Sequence, residues 1–509
     1  MNRRDFIKLS SLSLLPIISC KHEYNSWSES KFDISIHSDM ASGHLIMESN
    51  QFEVAELIET ELLIVGAGIA GLTAAANTPQ NDYIICEVSD RIGGSSGSET
   101  YKGTHFCQGA HYDLVYPNYF GEACLEFLEN LGILSFNKQA SHWEYIDKQF
   151  LIKTYYESQC FSGGKFRDDI LPEGEIIDDF MDFMDAQIGN YMLPTRSIPE
   201  KIRKLNNINF LSYLKDNLKL TPELIRAIDY QMLDDFSGEA HEVSAMAGMY
   251  YYANRPYRTS EIEIFSPPEG NYYFTNKIAA TLNGDQILTQ HLVKKINETT
   301  NGFEVDVVDI SNRKIKKIKA ANIIYAGQKH ALKYILPNQY SLFEKNQYAP
   351  WKVINFVLKE NKLAQGYWQN EIVLPDKAFL GFVDSNAQYN TGNNRVLSAY
   401  YCFPQSYRNN LANIEKTAQQ IVMKTAENIG WYFGLRPEQF TTLIEKVFIK
   451  VMGHAMPIPV PGYLFDDKNQ YRKYKNLAFA GVDNSRLPLL LEAVDSGLCA
   501  INEIYSNRA

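Results

Sequence analysis

Cysteine is scarce in this chain: seven residues in 509, with no CxxC pair and no metal-ligand spacing among them. That argues against a cysteine-ligated metal centre and leaves any disulfide unassignable from sequence. No apolar run is long enough to span a bilayer, since the stretch Leu9 to Ile18 is only ten residues long. Internal repeats and low-complexity tracts are absent, which excludes solenoids and fibrous folds. Positive charge is also in short supply, with 49 Lys and Arg against 60 Asp and Glu, a net charge of −11. Arg3, Arg4 and Lys8 against Asp5 give residues 1–19 a net +2, so the rest carries −13. Such a balance speaks against nucleic acid as a partner and is compatible with cationic substrates.

What is present is apolar and aromatic. A hydrophobic content of 45% and an aromatic content of 13% describe an ordered chain with room for two or three domains. The most informative run is Glu61-Leu-Leu-Ile-Val-Gly66-Ala-Gly68-Ile69-Ala70-Gly71, followed by helix formers to Ala76. An apolar strand ends at Val65, and Gly66 turns the chain sharply into a helix. Gly68 admits a pyrophosphate to the helix N-terminus, and Gly71 lets helix and strand pack closely. The next apolar strand, Tyr83 to Cys86, ends at Glu87-Val88, about 20 residues after the turn. A carboxylate there hydrogen-bonds ribose hydroxyls and disfavours a 2′-phosphate.

Arg91-Ile-Gly93-Gly94-Ser95 follows almost at once, before any third strand. This stretch resembles the E-x-x-x-R-x-G-G segment of the flavin amine oxidase superfamily, which includes monoamine, polyamine and L-amino-acid oxidases and phytoene desaturases. Cys107-Gln-Gly109-Ala110-His111 resembles that superfamily's flavin-side segment, and the run around Val293 its adenine-side strand. Leu477-Ala-Phe-Ala-Gly481-Val-Asp483 with Glu492-Ala493-Val494-Asp-Ser-Gly497 resembles its C-terminal flavin-closing segment and final helix. The resemblance implies non-covalent FAD, because no S-G-G-C signature is present in the C-terminal third.

It also implies two catalytic candidates. Lys352, near the start of the apolar run Pro350 to Leu358, resembles the lysine bonded through water to flavin N5; the alternative is a lysine that begins a surface strand. His454, in Met452-Gly-His-Ala-Met-Pro457, sits in a stretch similar to W-G-H-A/G in exported, twin-arginine, spermidine-dehydrogenase-like bacterial members. It reads either as an acid or base facing the flavin or as a packed histidine ordering a proline-rich loop. Departures from the superfamily pattern are Ser95, in place of the arginine that commonly follows Gly-Gly, and Leu490, in place of an aromatic ring. Tyr250-Tyr-Tyr252 reads mainly as core and secondarily as a substrate wall.

The N-terminus reads as an address. Asn2-Arg3-Arg4-Asp5-Phe6-Ile7-Lys8 matches a twin-arginine signal, and Ile17-Ile18-Ser19-Cys20 resembles a lipobox. Residues 1–20 are then a signal with a lipid on Cys20 as a membrane tether, and residues 21–55 a polar linker. The expected architecture is α/β: a FAD-binding Rossmann-like domain (56–115, 240–335, 446–509) and an interleaved α+β substrate domain with a mixed sheet (116–239, 336–445). The expected protein is an exported, periplasmic or cell-envelope oxidoreductase with a small-molecule substrate, no metal, and oxygen or a respiratory carrier as electron acceptor. Oxidation of a C–H next to nitrogen is the first reading. A phytoene-desaturase-like or prenylcysteine-oxidase-like action on a lipophilic substrate is the second, and a non-catalytic FAD-holding lipoprotein the third.

Overall fold

The computed structural model describes residues 32–48, 52–111, 117, 120–152, 158–254, 264–359, 362–364, 366–389, 392–466 and 473–505. The expected signal, Cys20 included, lies outside them. Two eight-stranded sheets organise these residues. In the first, the strand Lys314–Tyr325 is central, and its end is the meeting point of sequence-distant segments. Ile324 pairs in parallel with Ile64 of Val54–Val65 on one side and with Ala478 of Leu477–Phe479 on the other. Tyr83–Cys86 continues the parallel order beyond Val54–Val65, and Ile287–Leu288 edges it.

The strand Val54–Val65 begins well before the apolar run that marks it in the sequence. Its first half is exposed and lies beside the lysine-rich start of Lys314–Tyr325, with ion pairs Glu56–Lys316 at 3.4 Å and Glu59–Lys319 at 3.1 Å. Opposite charges on adjacent strands set this extension; burial of Leu62, Leu63 and Ile64 sets the rest. The helix Ile69–Ala76 covers one face, and the last helix, Leu490–Tyr505, crosses it.

The second sheet runs in the order Asp33–Ser38, Ile444–Pro457, Tyr348–Leu358, Val396–Cys402, Phe379–Asp384, Gln369–Val373, Ser158–Ser162 and Lys165–Arg167. Every residue of Tyr348–Leu358 is buried, as expected for a central strand packed on both faces. The middle of the chain is rich in helices. Thr221 accepts from the Leu224 N–H at 3.1 Å to cap Pro222–Phe236, and Ile414–Tyr432 covers the far face of the sheet. Tyr250, Tyr251 and Tyr252 are core residues of the helix Ala245–Ala253.

Two boundaries shift from those expected. Position 446 falls inside Ile444–Pro457, which belongs to the second sheet, so the chain returns to the first sheet only after Pro457. Residues 33–48 form a strand and a short helix where a polar linker was expected. None of the six described cysteines is bonded to another.

Candidate cofactor cavity

A cavity of about 920 Å³ opens between the two sheets. Its walls include Gly66, Gly68, Ile69 and Ala70 from the first glycine turn, and Glu87, Val88 and Arg91 from the next strand end. Gly93, Gly94, Ser95, Gly109, Ala110, His111 and Val293 also line it, as do Gly481, Asp483 and Ala493 from the C-terminal segment. Segments separated by most of the sequence therefore face one space.

The glycine turn has the geometry its spacing predicts. Gly66 has φ +101°, a conformation that L side chains rarely adopt. A Cβ on Gly71 would come within 2.0 Å of the Gly66 carbonyl oxygen, so Gly71 is a packing residue and does not line the cavity. Gly68 is the N-cap of Ile69–Ala76, and a Cβ there would meet no atom within 4 Å. Open space at a helix N-terminus, with its unsatisfied N–H groups and positive dipole end, suits a pyrophosphate. Gly93 N–H donates to the Ala67 carbonyl at 2.9 Å, and Ala110 N–H to the Ser95 carbonyl at 2.9 Å, so the three loops brace one another.

Glu87 is buried. Its Oε2 accepts from the Ala67 N–H at 2.7 Å and its Oε1 from the Ser89 N–H at 2.9 Å. Burial pushes its pKa up, and the two backbone donors oppose that shift. Each oxygen keeps a lone pair beyond these bonds, enough for two ribose hydroxyls. Open glycine cradle, helix end and fixed carboxylate together fit an adenine dinucleotide.

At the C-terminal segment the structure departs from expectation. Ala493 faces the cavity with Leu489 and Leu490, but Glu492 and Val494 do not, because neighbouring helix positions point about 100° apart. Val494 is core. Glu492 lies in a buried charge cluster: its Oε1 accepts from the Thr195 N–H at 2.7 Å, and Arg486 Nη1 reaches its Oε2 at 3.1 Å and Asp495 Oδ2 at 2.6 Å. Asp483 lines the cavity with its carboxylate already engaged. It accepts from the Lys329 N–H at 2.7 Å, Lys329 Nζ at 2.9 Å and the Tyr348 hydroxyl at 2.9 Å.

Lys352 is not brought to the cavity. In the strand Tyr348–Leu358 alternate side chains point to opposite faces. Trp351 and Val353 line the cavity, while the Lys352 ammonium sits on the other face, 4.9 Å from the Phe403 ring centroid and 5.2 Å from that of Tyr407. Burial pulls its pKa down to about 8.

His454 does line the cavity, stacked on His330 with centroids 3.7 Å apart and with Tyr348 edge-on at 5.7 Å. Burial pulls His454 down to about 3 and His330 to about 4, and the positive charges of Arg408 and Lys333 add to both shifts. Both rings are therefore neutral at ordinary pH. His111 lies 4.6 Å from the Tyr400 ring and 5.7 Å from Trp368, and burial pulls it to about 3.

Several lining residues carry no motif in the sequence. Asp234 and Asp235, in the last turn of Pro222–Phe236, face the cavity with Tyr400 and Trp351. Residues Ser38 to Met47 supply another wall. The adjacent acids closing a helix and the alternation in Asp33–Ser38 were the only sequence signals for these groups.

Residues 64–122 match a family model described as an NAD(P)-binding Rossmann-like domain. Among solved structures, the chain is similar to wild-type putrescine oxidase bound to putrescine, at 17% identity and a TM-score of 0.61, covering 88% of this chain and 100% of that one. Cyclohexylamine oxidase from Brevibacterium oxydans IH-35A gives 14% identity and a TM-score of 0.60, over 88% and 99% of the two chains. A provisionally named protoporphyrinogen oxidase from Exiguobacterium sp. 255-15 gives 15% and 0.57, over 89% and 100%. The chain has the fold of these oxidases. The shared fold extends over nearly the whole described body, well beyond the Rossmann-like segment.

Proposed function

We propose that this protein is a FAD-dependent oxidoreductase acting on amines. The observation that carries the reading is the convergence of Gly68, Glu87, Gly94, Gly481 and Ala493 on one cavity whose far walls are aromatic and acidic. Bound FAD supplies the acceptor for a hydride from a carbon next to nitrogen, and the resulting imine hydrolyses.

The chain's own residues prepare that step. The Asp234 and Asp235 carboxylates draw a cationic amine into the cavity, and the Tyr400 and Trp351 rings offer it a π face. Trp351 is fixed by its Nε1–H bond to Ser237 Oγ at 2.8 Å, so this wall is rigid. His111, neutral and packed between Tyr400 and Trp368, helps exclude water there. His454 is a neutral ring that accepts or donates a hydrogen bond and carries no charge. No proton-transfer role is assigned to Lys352, which lies across the sheet.

A second reading, a lipophilic substrate, is favoured by Pro488, Leu489, Leu490 and Met452 on the cavity wall. Export through the twin-arginine signal and a lipid on Cys20 belong to the proposal, resting on Arg3-Arg4 and the Ile17 to Cys20 run. Among the described residues no helix is long and apolar enough to cross a membrane.

Anaerobic stopped-flow bleaching of the flavin by polyamines, primary amines, amino acids and polyenes tests the substrate class. Asp234→Asn is expected to raise the half-saturating concentration of an active amine by about tenfold or more, since an ion-paired hydrogen bond contributes about 1.5–3 kcal/mol. Bleaching by polyenes alone, unchanged in Asp234→Asn, contradicts the amine assignment.

A further inference from the structure

The stretch from Phe32 to Glu48 is clamped at both ends, to different sheets. At its start, Asp33–Ser38 pairs in parallel with Ile444–Pro457 along six positions, and Lys450 Nζ meets Asp39 Oδ2 at 2.8 Å. His37 Nε2 lies 3.3 Å from Glu99 Oε2, the carboxylate that also holds Arg91 at 3.2 Å. At its end, Lys294 Nζ donates to the carbonyls of Leu45 at 3.1 Å and Glu48 at 2.6 Å. Leu45 is buried there against Leu292 and Val308.

Between the clamps lies the helix Met40–His44, none of whose residues is buried. A five-residue helix without a core face gains little from its own hydrogen bonds. What it does have is a place on the cavity wall, shared by Met40, Gly43, His44 and Met47. Its anchor, Lys294, neighbours Val293, and His291 N–H donates to the Glu87 carbonyl at 2.8 Å. The segment therefore covers the end of the cavity where the ribose-binding carboxylate stands.

We propose that residues 39–47 form a strap over the adenosine end of the FAD site, and that the dinucleotide leaves only when this strap lifts. The proposal rests on the FAD reading above. It makes residues 39–47 part of cofactor retention, so the segment that would join a lipid on Cys20 to the body also holds the flavin in.

The test uses the flavin-loaded protein and Lys294→Met, which keeps the apolar stem of the side chain and removes its bonds to Leu45 and Glu48. Leu45→Asp is the second variant. Flavin release is followed as the rise in flavin fluorescence on dilution, and strap opening as the rate of limited proteolysis within residues 39–48. Thermal unfolding of the flavin-free forms reports on the fold. Release is expected to quicken about tenfold or more in Lys294→Met, as a charge-assisted pair of hydrogen bonds is lost. Proteolysis should quicken with it, and flavin-free stability should change little. Faster strap cleavage with unchanged flavin release in either variant overturns the proposal, as does faster release with an uncleaved strap. Parent protein that takes up no flavin defeats the FAD reading itself, a distinct result.

Discussion

Gly497 of the last helix lies against Ala70 of the helix Ile69–Ala76, so closely that a Cβ at Gly497 would come within 2.4 Å of the Ala70 carbonyl oxygen. This contact seats the C-terminal segment over the glycine turn and places Ala493 and Gly68 in one cavity. Replacing Gly497 with valine forces the helices apart. Overpacking of this kind costs about 1–3 kcal/mol. Gly497→Val is expected to melt several degrees lower and to bind FAD at least tenfold more weakly, as read by thermal unfolding and flavin titration.

Lys352 is a buried cation over two aromatic rings, away from the cavity. Because its folded pKa is near 8 and its unfolded value about 10.4, the unfolded state binds more protons between these values. Stability from this group is complete above the unfolded value and is lost as pH falls toward 8. Lys352→Met is expected to stabilise the protein by about 1 kcal/mol at neutral pH, the lost cation–π contact offsetting part of the gain. Flavin reduction by amine should proceed at the parent rate; a large drop measured by stopped flow would restore the lysine to the reaction.

The stacked pair His330 and His454 contributes to the loss of stability in acid, alongside buried His111. Both rings stay neutral down to about pH 4 and 3 in the folded state, whereas free imidazoles protonate near 6.5. Stability is therefore intact above 6.5 and falls as pH drops toward 4, as the unfolded chain takes up protons that the folded one refuses. His330→Gln/His454→Gln should flatten the dependence of the melting temperature on pH between about 6.5 and 4. A parent melting curve insensitive to pH over that range contradicts the placement.

Arg486 is buried between Glu492 and Asp495. Burial drives the Asp495 pKa upward, but hydrogen bonds from Arg196 and the charge of Arg486 outweigh it and hold Asp495 below its ordinary value. Removing the guanidinium leaves both carboxylates without that compensating charge. Arg486→Met is expected to destabilise by about 3–5 kcal/mol in denaturant unfolding. Restoring charge with Lys should recover part of that loss, since a single nitrogen, Nη1, makes both carboxylate contacts in the parent.

Legibility in the sequence followed the reach of each physical rule. Gly66, Gly68, Gly71 and Glu87 were readable because backbone sterics and a strand end fix them locally: Gly66 turns the chain at φ +101°, Gly71 packs against it, and Gly68 and Glu87 line one cavity. Lys352 was not. A strand buried on both faces shows no alternation, so whether residue 351 or 352 faces the cavity is decided by distant packing. Glu492 and Val494 fell to helix phase, since only one face of Leu490–Tyr505 meets the cavity. Asp234 and the Asp33–Ser38 strand depend on partners far along the chain, and no local motif announces either.

The most direct measurement is the visible absorption spectrum of the purified protein, taken with Gly68→Val and Gly497→Val prepared alongside. One dinucleotide held by both ends of the chain predicts flavin bands in the parent and their loss from each variant after gel filtration. A parent that stays colourless after incubation with FAD, or flavin kept fully by Gly497→Val, would contradict the account.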